Sequence, residues 1–109
     1  MEGEGAAERA GCYRWGMPSY RVTMVIGALK PGVNPGAVLP LAAAAGRELV
    51  TVEASDLAVV AGEARITVRF TADELEIARQ VGAHIVAVTD QSARVLRSAV
   101  TERVKNRWV

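Results

Sequence analysis

Hydrophobic and polar positions change their spacing several times along the chain. From Tyr20 to Leu29, apolar and polar residues alternate, which is the period of a strand with one buried face. Similar alternation runs through residues 55–61 and 64–70, and a partial alternation runs from Arg94 to Val109. Two stretches with apolar residues three and four positions apart, the spacing of helices, lie between these runs. The pattern therefore predicts the order strand, helix, strand, strand, helix, strand.

This order is typical of an α+β protein with the ferredoxin-like split βαβ arrangement, β-α-β-β-α-β. It predicts a four-stranded antiparallel sheet that carries two helices on one face. Residues 1–19 contain several glycines and no periodicity, so we expect a flexible leader there. Residues 20–109 are predicted to form a single domain, since a chain of 109 residues has room for one modest core.

The clearest predicted hairpin joins the second and third strands. Residues 62–63 (Gly-Glu) fit a two-residue type II′ turn. That turn would place Asp56 directly opposite Arg69, as a cross-strand charge pair. Farther from the turn, the same register would make Val52 point away from the core. We therefore expect a bulge or bend near residues 54–55.

Both helices carry start signals. Asn34 followed by Pro35 predicts the first helix start, and Gly46 is a plausible end. Thr71 and Glu74 match a capping box at the start of the second. The stripes predicted to face the core are Val38, Leu41, Ala42, Ala45 and Leu49 in the first helix, and Leu75, Ala78, Val81, Gly82, Ile85 and Val88 in the second.

The face of the sheet away from the helices, the open face, is the predicted working surface. A bare sheet face must be solvated, bind a ligand or pair with a second copy. Arginine side chains there would suit phosphate or carboxylate groups. The candidate ligand-binding residues on this face are Arg21, Thr23, Asp56, Arg65, Thr67 and Arg69. Arg97 and Arg103 share one parity in the fourth strand and are predicted to lie there too.

Composition narrows the function classes only slightly. Half of the residues are hydrophobic and 23% are charged, as in an ordinary globular protein. A net charge of +1 points neither to nucleic acid nor to a membrane surface. The acidic start has no apolar stretch of a signal peptide, and the single cysteine, Cys12, excludes an internal disulfide. We therefore expect a cytoplasmic protein. Arginine outnumbers lysine eleven to two, a bias that suggests a GC-rich bacterial genome.

His84 is the only histidine and lies at the edge of the second helix's apolar stripe. The favoured interpretation is a boundary residue that packs its ring, since no acid or nucleophile is visibly tied to it. If the protein is an enzyme, His84 is the possible acid or base. Neither a metal nor a cofactor is expected, because one histidine and one cysteine in distant elements do not make a site.

The element order and size over about residues 20–109 resemble small split-βαβ domains that pair sheet to sheet, as in the dimeric α/β-barrel superfamily. That resemblance implies a homodimer, and the superfamily includes small oxygenases and isomerases with a cavity under the sheet. It carries no motif, and no catalytic residue is transferred.

The leading functional hypothesis is a small bacterial, non-catalytic ligand-binding or assembly module that acts as a homodimer. One alternative is a cofactor-free enzyme of the dimeric α/β-barrel kind with a site between sheet and helices, for which His84 and Arg69 would be the first residues to mutate. Another is an RNA or anion binder that uses the arginine-bearing face. RNA is the less favoured ligand, because sheets that bind RNA stack bases on exposed aromatics and Phe70 is predicted to be inside.

Overall fold

A computed structural model of the chain describes residues 18–105 and 107–109. The predicted leader lies outside the described residues up to position 17, and the first strand begins at Ser19. The strands are β1 (Ser19–Leu29), β2 (Val52–Val60), β3 (Glu63–Thr71), β4 (Ala93–Val104) and β5 (Arg107–Trp108). The helices are α1 (Val38–Arg47), which follows a 3-10 turn at Pro35–Ala37, and α2 (Leu75–Asp90).

The five strands form one curled antiparallel sheet, a half-barrel, in the order β2-β3-β1-β4-β5. The predicted α+β class is confirmed, but the prediction of a four-stranded ferredoxin-like sheet is wrong. The chain that was expected to continue the fourth strand reverses at Lys105, which has a φ of 57°. Arg107 and Trp108 then pair with Val104 and Arg103 as an additional strand.

Bulges explain the curl of the sheet. The pairing of β1 with β4 shifts register between Val25 and Ile26, and again between Ile26 and Leu29. A bulge bends its strand and increases the local twist. At one edge of the sheet, β2 shifts register against β3 between Val52 and Ala54. This last bulge lies next to the position that the sequence predicted.

The hairpin between β2 and β3 turns at residues different from those predicted. Ala61 and Gly62 have φ angles of 53° and 80°, which makes them the central pair of a type I′ turn. Asp56 therefore pairs with Thr67, and Arg69 pairs with Ala54. The predicted Asp56–Arg69 pair is wrong by a shift of two residues. Because a shift of two conserves parity, both side chains remain on the same face.

The core lies between one face of the sheet and the two helices. The sheet contributes alternate residues of β1 and β3, and the rings of Tyr20 and Phe70 lie 6.2 Å apart, centre to centre. At Gly82 of α2, a Cβ atom would come within 2.6 Å of the Val100 side chain, so the helix packs closely on β4 there. The fully buried core residues include Val22, Met24, Ile66, Val68, Ala42, Ala78 and Ile85.

The ends of both helices differ from the predictions. The Asn34 side chain accepts a hydrogen bond of 2.8 Å from the Gly36 amide, so it caps the 3-10 turn, and α1 begins only at Val38. The helix does not end at Gly46 but continues to Arg47. At α2 the N-cap is Glu74, without a side-chain hydrogen bond, and the predicted capping box is wrong. Thr71 remains in β3, where its amide donates to the Thr51 carbonyl.

The predicted helix stripes are partly wrong at their margins. Leu41 remains 41% exposed because α1 packs through small residues instead, and Leu49, which is 54% exposed, lies beyond the end of α1. Leu75 is also exposed at the start of α2. The buried residues of α1 are Val38, Ala42, Ala43, Ala45 and Gly46, and those of α2 are Ala78, Val81, Gly82, Ile85 and Thr89.

The turn geometry predicts a stabilising substitution. In Ala61→Asn, asparagine tolerates the left-handed backbone of this position better than alanine does. We expect the free energy of unfolding to rise by about 1 kcal/mol, measured by urea denaturation. The matched control is Gly62→Ala, which places a Cβ on the other left-handed residue and should lower it by about 1 kcal/mol. A loss of stability in Ala61→Asn would contradict the type I′ turn.

Candidate ligand site on the open sheet face

The register of the sheet brings all the candidate ligand-binding residues to one face. Arg21 lies opposite Arg69, Thr23 opposite Thr67, and the residue opposite Arg65 is Val25. These positions alternate with the buried core residues of β1 and β3, so they lie on the face away from the helices. Asp56, opposite Thr67 on β2, joins them.

Two clefts divide this open face. The first, the Trp108 cleft, has a volume of about 230 Å³. Its lining residues are Arg21, Ala54, Ser55, Asp56, Thr67, Arg69 and Trp108. The second, the Arg97 cleft, has a volume of about 220 Å³ and is lined by Thr23, Val25, Arg65, Arg97, Ser98 and Ala99. Both volumes suit a small molecule.

Trp108 is a part of this face that sequence reasoning missed. In the structure, β5 places the centre of its ring 4.6 Å from the Cζ atom of Arg21. A guanidinium over an indole ring is held by the negative face of the ring. No signal in the sequence could have located this contact, because a strand of two residues is too short to show a period.

Like charges face each other in the Trp108 cleft. Arg21 and Arg69 are directly opposite on neighbouring strands, an arrangement that is destabilising unless the charges are compensated. Glu53 compensates one of them, with its Oε1 atom 3.3 Å from the Nε of Arg69. Ser19 donates a 3.1 Å hydrogen bond to the same Oε1 and so holds that carboxylate in place.

The two guanidinium groups of the Trp108 cleft keep donors unused. Within the described residues, the Nε of Arg21 is buried and has no hydrogen-bond partner. The Nε of Arg69 is also buried without a hydrogen bond, although its ion-pair contact with Oε1 of Glu53, at 3.3 Å, is made at this atom. A buried donor without a partner costs free energy, which an incoming acceptor would recover. The guanidinium groups of this cleft therefore have hydrogen-bonding capacity that the described protein groups do not use.

The Arg97 cleft shares a buried Nε without a hydrogen-bond partner, that of Arg65, but differs because one carboxylate of the protein interacts with both of its arginines. Arg97 donates a 2.7 Å hydrogen bond to Oε1 of Glu63, and Arg65 lies 3.5 Å from the same oxygen. The hydrogen bond from Arg97 is the main reason that the pKa of Glu63 lies below its usual value, and Arg65 adds to the effect. Val25, only 5% exposed, lies beneath these polar groups.

His84 lies on the other side of the sheet from the candidate site. Its Nε2 atom is 2.8 Å from Oε1 of Glu48, so it joins α2 to the segment that follows α1. The structure does not bring His84 together with Arg69, the other residue singled out for mutation under the enzyme hypothesis. Arg103, which was predicted for the open face, donates from Nε to the Lys105 carbonyl in the turn before β5.

The described ranges contain no group of three histidine, cysteine or acidic residues that could hold a metal ion. Across those ranges, no helix combines the length and the apolar character needed to cross a membrane. Searches with the sequence against protein-family models and curated proteins, and with the fold against solved structures, found no match. The geometry of the open face is therefore the basis for inferring a function.

The Arg97 cleft gives a prediction about proton binding. In Arg97→Gln the pKa of Glu63 should rise toward its ordinary value, because its main hydrogen-bond donor is lost. A pKa lowered by folding contributes stability above the unfolded-state value, and that contribution is lost as the pH falls through the folded value. Carboxyl carbon chemical shifts, followed by NMR over an acid titration, measure the change.

The control for this titration is Arg94→Gln, an exposed arginine on the same strand. Its removal should leave the Glu63 titration where it is. Equal shifts in both variants would indicate a general charge effect and would contradict the specific hydrogen bond.

Proposed function

We propose that this protein is a non-catalytic ligand-binding module, and that its open sheet face binds an anionic ligand in the Trp108 cleft. The observation that carries the proposal is the pairing of Arg21 with Arg69. Of these two arginines Glu53 contacts only Arg69, and the buried Nε of Arg21 has no hydrogen-bond partner within the described residues. Charge-assisted hydrogen bonds from arginine to carboxylate or phosphate are among the strongest in proteins. A bound anion would offset the repulsion between the two guanidinium groups and would accept hydrogen bonds from them.

The two clefts are not equivalent as sites for an external anion. In the Arg97 cleft an anion would have to displace Glu63, which already interacts with two arginines. In the Trp108 cleft Glu53 contacts Arg69 but not Arg21, which contacts the indole ring. The Trp108 cleft is therefore the better site.

The alternative functions gain less from the structure. The enzyme hypothesis took its architecture from the split-βαβ barrels and its chemistry from His84, which pairs with Glu48 on the helix side. RNA binding would use aromatic faces to stack bases. On the open face Trp108 presents one ring, and Arg21 covers it. A small anion fits a cleft of about 230 Å³ better than a polymer does.

Anion binding is tested with inorganic phosphate as the probe, followed by amide chemical shifts. We expect the shift changes to concentrate on residues of the Trp108 cleft. Arg69→Gln and Arg21→Gln should each weaken binding about tenfold, the effect of one lost charge-assisted hydrogen bond. Arg79→Gln, which removes an exposed arginine of α2, is the control and should change the affinity little.

Two outcomes would count against the proposal. Equal weakening by Arg79→Gln would show general attraction of anions to a cationic protein. Binding that requires an oligonucleotide, grows with its length and falls steeply with salt would favour RNA instead.

We also propose that the protein acts as a homodimer, with β2 as the contact strand. The edge strand β2 is exposed from Glu53 to Val60, and Leu57 and Val59 are 51% and 74% exposed. Long apolar edges pair readily with other chains, whereas short ones resist pairing. The opposite edge is β5, with only two residues. The proposed location is the cytoplasm, since a single cysteine suits a reducing compartment.

Light scattering at low and high salt tests the dimer. We expect the mass of a dimer under both conditions, because the proposed contact is apolar and made by backbone hydrogen bonds. Val59→Lys should give a monomer, since a charge on an edge strand opposes pairing. The control Leu41→Lys changes an exposed leucine of α1 and should remain dimeric. A wild-type monomer at both salt concentrations would exclude the proposal.

A further inference from the structure

We infer that the ligand of the Trp108 cleft is a small zwitterion, with a cationic group for Asp56 as well as an anionic group for the arginines. This inference rests on the proposed function, because it concerns the same cleft. It adds a second recognised group and therefore a chemical class, that of small amino carboxylates.

Separated charges line the cleft. Arg21 on β1 and Arg69 on β3 lie toward the middle of the sheet, while Asp56 lies on the edge strand β2. Asp56 pairs with Thr67, which lies between it and the inner strand. Neighbouring strands are about 4.8 Å apart, so the acidic and basic sides are separated by roughly one to two strand spacings.

Asp56 does not serve as the partner of Arg69. That arginine pairs with Glu53, which the bulge between Val52 and Ala54 brings to its Nε atom. Within the described residues, no lysine, arginine or histidine forms an ion pair with Asp56. Its carboxylate, which lines the cleft, therefore remains available to a ligand.

The charge balance of the cleft favours a dipolar ligand over a simple anion. Two guanidinium groups are matched by two carboxylates, Glu53 and Asp56, so the cleft is nearly neutral as a whole. A simple anion gains from the arginines and is repelled by Asp56. A zwitterion interacts favourably with both sides, and the repulsion of simple anions provides selectivity.

The size of the cleft agrees with this class. A water molecule takes up about 30 Å³ of liquid, so a cleft of about 230 Å³ has room for a ligand no larger than roughly seven water molecules. Amino carboxylates with short chains have this size. The hydroxyl of Thr67, between the two charged sides, can hydrogen-bond either end.

The test compares ligands that differ only in the ammonium group. Acetate, propionate and butyrate are matched by chain length with glycine, β-alanine and 4-aminobutyrate, and inorganic phosphate serves as a reference anion. Dissociation constants come from amide chemical shifts of the full chain. In at least one pair, the zwitterion should bind about tenfold more tightly than its anion, the effect of one charge-assisted contact.

Variants of the two carboxylates separate their roles. Asp56→Asn should weaken the binding of the zwitterions and strengthen the binding of the simple anions, so that the difference in affinity between the two series disappears. Glu53→Gln is the matched control, because Glu53 faces Arg69. In this variant both ligand series should bind more tightly, and the difference in affinity between them should persist. Asp56 is exposed, so its substitution should leave the fold intact, which the amide spectrum verifies.

The possible results distinguish this inference from the proposed function. If phosphate and the carboxylates bind, lose affinity in Arg69→Gln and show no preference for any zwitterion, the inference is wrong and the anion site stands. A preference that survives Asp56→Asn also overturns the inference. If neither phosphate nor any member of the two series perturbs the cleft, the proposed function itself fails.

Discussion

The alternation of residues along β1 is the constraint on which the rest of the structure depends. This strand pairs with β3 on one side and with β4 on the other, so it is the central strand of the sheet. Its residues therefore lie at the centre of the helix-covered face and of the open face. Tyr20, Val22 and Met24 are buried against the helices, while Arg21 and Thr23 point the opposite way. A slip of one residue would place Arg21 in the core, and burying that charge without a partner would cost several kcal/mol. The core therefore fixes the arginines on the open face.

Parity could be predicted from the sequence, but register and chain reversals could not. Alternation is a local property, and it placed the six candidate residues on one face even though the hairpin register was wrong. The turn was misplaced because alanine seldom adopts a positive φ, and only the packing of the two strands favours Ala61 there. Thr71 was assigned to a helix cap for a similar reason: its pairing with Ser19 in the sheet outweighs the local capping signal.

The residues of the site that the sequence did not predict share one physical reason. Glu53 reaches Arg69 through a bulge, and Trp108 reaches Arg21 through a strand of two residues. Neither feature repeats, so neither leaves a period in the sequence. Glu63 was predicted to lie in the turn, whereas it begins β3 and interacts with Arg97 and Arg65. Irregular elements thus supply the groups that neutralise and shape a surface whose arginines come from regular strands.

The attachment of β5 also determines how rigid the Trp108 cleft is. Two residue pairs with β4 and the two backbone hydrogen bonds between Glu102 and Val109 hold this strand. Segments with so few bonds open locally at a much smaller free energy than the core, which is the ordinary origin of fast amide exchange at sheet margins. Opening of β5 carries the indole away from Arg21 while the helices and the inner strands stay folded. One wall of the cleft can therefore move independently of the rest of the domain, through the fraying of a single short strand.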